Sequence, residues 1–378
     1  MPEFPPIAEA RGGTATHRRY VTDPGSLPEQ LVRRWRALRQ ADSSLQSPFL
    51  DPAYVQAVAA CREGVRLAVL ERDGAPCGFF PFQYADRLHR WLGAAEPVGA
   101  HMTDAVGVVA APDCGLTPLR LLRSAGLRYF RFTHLCDAQA RLGLRGDREE
   151  CGLAIDLRRG PEAYWAALGA SNQVLIEDSE RRRRRLREAH GPVRFVFSAG
   201  EVAGELHRLI DAKRVQYRRT GAADPLGPTW TRRLLQRLAE SDAAECQGLL
   251  STLHAGETWV ASHFGLRSGA LLHYWFPIYN PALARFAPGR LLLMSIIDAA
   301  PAQGISLIER GVGTQPHKRE FANLSRSYYR GAWHEPGPRA FVARTLASLN
   351  WRIGALRQRR PRQFSGEEMQ ASRQGENG

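Results

Sequence analysis

The chain has 378 residues, 44% hydrophobic and 24% charged, which is ordinary globular material long enough for two cores. Its 52 Lys and Arg outnumber 38 Asp and Glu, and a net charge of +14 favours anionic partners: phosphate-bearing substrates, an anionic membrane surface or nucleic acid. Six scattered cysteines without a CxxC pair argue against a disulfide framework or a zinc finger, and no apolar run has the length of a membrane span.

These features predict a cytoplasmic protein with reduced thiols, whose basic surface allows peripheral docking at the inner face of the membrane. Arginine supplies nearly all the positive charge, since lysine occurs only at Lys213 and Lys318. A GC-rich genome explains that ratio without explaining the net sign.

Residues 1–27, rich in Pro and Gly, read as disordered. Leu27–Gln40 places Leu31, Trp35 and Leu38 at helical spacing, and Asp51–Cys61 opens on Asp-Pro, a helix-start signal. VRLAVLER, Asp73-Gly74 and APCGFFPFQY then form a hairpin, since glycine accepts the positive φ of the turn. Gly248–Leu266 repeats that layout around Ala255-Gly256. A further strand, an irregular section, a helix and a late strand follow each copy. The weak internal repeat predicts two related α/β lobes, one over residues 28–155 and one over 156–340.

A helical bridge joins them: Pro161–Gly169, Val174–His190, Glu201–Thr220 and Pro228–Ser241. Within it, five consecutive arginines, Arg181–Arg185, wrap all faces of one helix, so a solvated helix paired with acidic neighbours is the default. Residues 341–378 read as a last helix with Trp351 and a basic polar tail.

Chemistry concentrates between Glu257 and Trp333. Strand WVASHFGLRS, strand ALLHYWFPIYN and a loop lead into Pro288-Gly289-Arg290-Leu291, which opens an apolar helix. Free N–H groups at a helix start, a glycine permitting close approach and an arginine make an anion cradle. Strand ISLIERG and the loop GVGTQPHKREF follow, and strand SRSYYRGAW closes the region.

The run from Tyr164 to Trp333 resembles the BioF2-like, or cellulose-biosynthesis CelD-type, acetyltransferase domain of the GNAT superfamily. The resemblance is carried by YWAALGASNQVLIEDSERRRRRLREAHG, LIDAKRVQYRRTG, the hairpin pair, the PGRLLL helix start and Ile308–Gly313 with Lys318. The upstream PFQY strand and HMTD around Asp104 resemble a degenerate first lobe. The resemblance implies an α/β fold of two tandem GNAT-like lobes, with mixed, mostly antiparallel sheets flanked by helices. It implies an acyl-CoA co-substrate whose thioester lies between ALLHYWFPIYN and ISLIERG, polarised by backbone N–H groups.

On that reading Pro288, Gly289, Arg290 and Leu291 hold the donor, and Asp104, Tyr217, Tyr274 and Trp275 contact the acceptor. His263, Glu309 and His317 are candidate bases, and Lys318 neutralises a phosphate or positions a carboxylate. Glu309 and His317 stand where the family usually has aspartate and tyrosine. Taken singly, His263 reads as a core histidine, Glu309 with Arg310 as a strand-end charge pair, and Tyr274 and Trp275 as core. His317-Lys318, in a Gly-rich loop, is the pair for which function reads at least as well as packing.

The predicted function is acyl-CoA-dependent N- or O-acyl transfer to a polysaccharide or cell-envelope precursor, with a sugar, envelope or lipid acceptor. The alternatives are N-acylation of a long-chain amine, with Leu291–Ile297 lining an acyl channel, tRNA-dependent aminoacyl transfer, and a non-catalytic accessory subunit. Nucleic acid as such is least favoured, because no binding motif is present.

Overall fold

The computed structural model describes residues 17–197 and 202–359. The first half contains β1 (His17–Thr22), α1 (Glu29–Gln40), α2 (Pro52–Cys61), β2 (Val65–Arg72), β3 (Ala75–Gln83) and α3 (Arg87–Leu92). Then come β4 (Ala94–Ala95), β5 (Val109–Ala110), α4 (Pro118–Ala125), β6 (Tyr129–Cys136) and β7 (Arg148–Asp156). The second half runs α5 (Pro161–His190), β8 (Val193–Phe197), α6 (Val202–Thr220), α7 (Thr229–Ala239), β9 (Gln247–Ala255) and β10 (Thr258–Ser268). It ends with β11 (Leu271–Tyr279), α8 (Pro288–Ala299), β12 (Leu307–Val312), α9 (Pro316–Arg319), β13 (Leu324–His334) and α10 (Pro338–Arg359).

Two sheets result. One has four strands in the order β1-β2-β3-β5, and the other nine in the order β4-β6-β13-β7-β12-β11-β10-β9-β8. Strand β13 from the second half thus sits between β6 and β7 of the first, antiparallel to both, so one ladder runs through both halves. Both hairpins read from the sequence are present, β2–β3 in the small sheet and β9–β10 in the large one.

The disorder expected for residues 1–27 does not extend over residues 17–22. They pair in continuous register with β2, from His17–Arg72 to Thr22–Leu67. Tyr20, Val21 and Thr22 suit a strand, and β2 offers them an unpaired edge. Residues 1–16 and the tail from 360 lie outside the described residues. The helices read at 161–169 and 174–190 join as α5, broken at Asn172 (φ −153°), whose Oδ1 accepts from Leu175 N and starts the second segment.

Helix α1 packs on β3 and β5, α2 on α7 and α7 on β9, and Trp35, Tyr54, Leu234, Leu250 and Phe264 are all buried in one cluster, so one core spans both halves. A second core lies under α5 and α8, with Leu186, Leu292, Ile296 and Ile308. Arg39 of α1 is 1% exposed and ties the halves by charge. Its Nη1 donates to Asp51 Oδ2 at 3.2 Å and to Glu245 Oε2 at 2.8 Å, and its Nη2 donates to Gln46 O and to Ser268 Oγ. Asp51 also caps α2 by accepting from Ala53 N at 2.9 Å.

Removing one member of a buried pair strands the other charge in the interior, at a cost of about 3–5 kcal/mol. Arg39→Ala is therefore expected to lower the urea unfolding free energy by about that amount. Adding Asp51→Asn to it recovers part of the loss, because the buried Asp51 carboxylate, left with Arg36 alone at 3.4 Å, is gone.

Candidate functional site

Strands β11 and β12 run parallel and pair from Leu271–Leu307 to His273–Glu309, and no further. Beyond His273, β11 continues along β10 as far as Tyr279, while β12 follows β7 through a bulge between Glu309 and Val312. Gly311 sits in that bulge at φ 66°, a backbone state that glycine adopts without strain. The Arg310 guanidinium lies 5.7 Å from the centre of the Tyr274 ring and fills the apex of the gap. Pro277 stands on β11 past the parting, where the missing N–H costs no ladder bond if its edge is unpaired. Its carbonyl instead accepts Lys213 Nζ at 2.8 Å.

The gap opens into a cleft of about 630 Å³, within the range of small-molecule sites. Its walls come from α6, β11, the start of α8, β12 and residues 317–321, with Asp104 and His134 contributed by the first half. Pro288, Gly289 and Arg290 line it at the α8 N-terminus. Ala287 precedes them in left-handed conformation (φ 51°, ψ 51°) with no side-chain cap. Arg290 and Leu291 give their N–H groups to Ala287 O, so Gly289 is the first donor the terminus offers the cleft. A Cβ added at Gly289 would meet only Tyr279, at 3.7 Å, so the approach is open. Arg290 is held at 3.0 Å from Asp178, which also pairs with Arg181 and Arg182.

On the cleft's inner side a chain of charged groups crosses four elements. The buried His273 donates Nε2–H to Asp104 Oδ2 at 2.9 Å, the carboxylate fixing the tautomer since it only accepts. The other ring nitrogen faces Glu309 Oε2 at 4.0 Å, and Glu309 Oε1 lies 3.1 Å from Arg326 Nε on β13. Burial pushes the Asp104 carboxyl up, but the hydrogen bond and charge of His273, with His134 and Lys318, outweigh it and hold Asp104 below its ordinary value. The segment that presents Asp104 is itself anchored: Tyr54 Oη bonds Thr103 Oγ1 at 2.8 Å, Thr103 Oγ1 donates to Val98 O, and Gln83 Oε1 accepts from Gly99 N at 2.8 Å.

Both lysines of the chain line this cleft. Burial lowers the Lys213 amine to about 8, with the Tyr217 ring centre 5.3 Å from its Nζ. Lys318 donates to Val312 O at 2.8 Å, and burial followed by the charge of Arg310 lowers it too. Arg310 gives Nη1–H to the carbonyls of His317 and Lys318, fixing the short helix α9 against the gap.

Of the residues read from the sequence, Asp104, Tyr274, Trp275, Pro288, Gly289, Arg290, His317 and Lys318 come together around the cleft. The others do not line it. His263 is fully buried and stacked on Tyr274 at 4.1 Å, with both ring nitrogens unpaired. Burial lowers its pKa to about 3, and its ring lines no part of the cleft in which a base would meet a substrate. Glu309 is 5% exposed within β12 and stands behind His273. Leu291 lies in the core with Leu292, Leu293, Met294, Ile296 and Ile297, and of these Leu293 also reaches the cleft. Tyr217 backs Lys213 without lining the cleft.

Sequence reasoning missed Lys213, Gln216, His134 and His273. For Lys213 a signal existed, because a chain that uses arginine almost everywhere keeps lysine at two positions only. No helix among the described residues is long and apolar enough to cross a membrane.

Residues 176–319 match the family described as the acetyltransferase (GNAT) domain. No curated protein matches the chain. Among solved structures, FemX has 10% identity over 87% of this chain and 99% of its own, with a TM-score of 0.56. The C-terminal domain of a putative lysylphosphatidylglycerol synthetase from Agrobacterium fabrum has 12% identity over 85% and 96%, with a TM-score of 0.50. A conserved protein of unknown function from Bacteroides thetaiotaomicron has 12% identity over 80% and 97%, with a TM-score of 0.51. The expected fold class therefore stands, the fold being shared with FemX, and residues 176–319 are similar to the GNAT acetyltransferase domain.

Lys213 supplies a direct check on the electrostatics of the cleft. Its folded value near 8 lies below the unfolded value of about 10.4, so between these pH values the unfolded chain binds more protons at this site. Folding stability at this site is thus expected to rise as pH increases from about 8 toward 10, and Lys213→Met removes that rise. Chemical denaturation across this pH range, in both proteins, makes the measurement.

Proposed function

We propose that the chain is an acyl-CoA-dependent N- or O-acyltransferase of the CelD type, acting on a polysaccharide or cell-envelope precursor. The observation that carries this reading is the parting of β11 from β12, which opens a strand edge into a cleft beside a helix N-terminus. A thioester in that gap has its carbonyl beside backbone groups of β11 past Tyr274, already fixed in position before the donor arrives. The donor's pyrophosphate lies at Gly289 N–H and Arg290, where the α8 dipole favours negative charge.

Asp104 takes the proton of the acceptor as its amine or hydroxyl attacks the carbonyl and the thiolate departs. The carboxylate is ionised at neutral pH, faces the cleft, and is oriented by His273 backed by Glu309. Orientation of this kind converts a chance encounter into a near-attack geometry. Lys213, Lys318 and Arg310 favour an acceptor with a phosphate or carboxylate near its reacting group.

A second donor, an aminoacyl ester carried by tRNA, is favoured by one observation. Lys213 already occupies the carbonyl of Pro277, and Pro277 has no N–H, so this edge offers little to the amides of a pantetheine arm. Such an ester needs no strand-like pairing.

Thermal-shift titration separates the donors. A donor at a hundred times its Kd stabilises the fold by about 2.7 kcal/mol. A shift with acetyl- or acyl-CoA supports the first reading, a preference for long-chain esters points to a lipid amine as acceptor, and protection by aminoacyl-tRNA alone supports the second donor. No shift with any of them contradicts the enzyme reading. Asp104→Asn is expected to lower turnover by about 10²–10⁴-fold while leaving the donor-induced shift intact. Unchanged turnover in that variant removes Asp104 as the base.

A further inference from the structure

Far from the cleft, in the four-stranded sheet, two buried cysteines face each other. Cys77 on β3 is 8% exposed and Cys114, in the segment after β5, is 4% exposed. Their Sγ atoms are 2.6 Å apart, in thiol–thiol hydrogen-bonding contact. The backbone enforces this meeting. Gly78 and Phe79 pair with Ala110 and Val109, Ala111 N donates to Cys77 O at 2.8 Å, and Cys114 N donates to Ala111 O at 3.0 Å. Arg72 pins the same turn through Asp113, donating to its carbonyl at 2.9 Å and to its carboxylate at 2.6 Å. A Cβ on Gly78 would meet Cys114 Sγ at 3.4 Å and Ala110 Cβ at 3.1 Å, so the glycine lets the turn lie close.

A recess of about 20 Å³ reaches the two sulfurs and is lined also by Arg19, Glu71, Arg120 and Ser124. That is the space of roughly one water molecule, enough for a hydroperoxide group and too small for a bulky disulfide reagent. The two thiols are electronically unlike. Hydrogen bonding from Cys114 lowers Cys77 against the effect of burial, with Arg72 assisting, whereas the bond to Cys77 and burial push Cys114 far up. Cys151 is the exposed cysteine and does not line this recess.

We propose that Cys77 and Cys114 form a reversible dithiol–disulfide site that reacts with small hydroperoxides. The Cys77 thiolate attacks one peroxide oxygen, the O–O bond breaks, and a sulfenic acid forms while hydroxide leaves and takes up, as water, the proton that the Cys77 thiol gave to solvent. The Cys114 sulfur then attacks Cys77 sulfur, the S–O bond breaks, the S–S bond forms and a second water leaves. Hydrogen peroxide is reduced by two electrons and the thiol pair is oxidised by two; an added dithiol reverses the step. The bond joins residues 37 apart in sequence, so it restricts the unfolded chain and raises the thermal midpoint.

The test uses the full chain treated with about one equivalent of hydrogen peroxide and then denatured for thiol counting and peptide mapping. Six thiols are expected to fall to four, with a peptide linking Cys77 to Cys114 and Cys151 still reduced. Cys114→Ser stops at a Cys77 sulfenic acid that dimedone traps, and Cys77→Ser leaves Cys114 unreacted. Should either variant fail to fold, Cys151→Ser keeps the question open to measurement, because its five thiols must fall to three. Oxidation of Cys151 ahead of the pair, or six thiols surviving, overturns the proposal.

Discussion

The site depends on a pair of neighbouring strands that stop being neighbours. Parallel pairing of β11 and β12 ends at His273 and Glu309, and from there each strand keeps only its outer partner. An interior strand edge is costly to leave bare, because its backbone groups have lost one another. The chain meets that cost locally. Pro277 withholds a donor, Lys213 occupies the proline's carbonyl, and Arg310 with Tyr274 fills the apex. What remains is a gap that opens into the cleft and is bordered by the N-terminus of α8.

The parting also explains why the cleft needs the whole chain. Asp104 arrives from the first half and is held by His273, which stands at the last paired position of β11. Behind it Glu309, at the last paired position of β12, is neutralised by Arg326 from β13, the strand that crosses into the first half's ladder. The same two halves are clamped elsewhere by Arg39 and by the shared core of α1, α2 and α7. A carboxylate placed by one half thus faces cations placed by the other. Gly311 stands at this junction in left-handed conformation, where a Cβ would make only ordinary contact with Asp104 Oδ2 at 3.6 Å and the His273 ring at 3.7 Å, so its backbone state is what calls for glycine.

Much of this was legible in the sequence, and unevenly so. Asp73-Gly74 and Ala255-Gly256 fixed the hairpins, and Pro288-Gly289-Arg290 marked the helix start at the rim. These features are local and rest on short-range backbone chemistry. The splicing of β13 between β6 and β7 was not legible, because strand order across some 180 residues leaves no local trace. His273 was hidden for the same reason: in LHYWF it looks like any core residue, and only Asp104, 169 positions away, gives it a role. His263 shows the opposite case: taken singly it reads as a core histidine, and the structure seals it behind Tyr274. Nor did spacing reveal that Cys77 and Cys114 meet.

The central claim is that the gap between β11 and β12 receives the acyl donor. A crystal structure with a non-transferable thioether analogue of acyl-CoA tests it most directly. The account places the analogue's carbonyl between Tyr274–Tyr279 and Arg310–Val312, its pyrophosphate at Gly289 and Arg290, and its acyl group within reach of Asp104. Density for the analogue elsewhere on the molecule, with this gap unchanged, would contradict it.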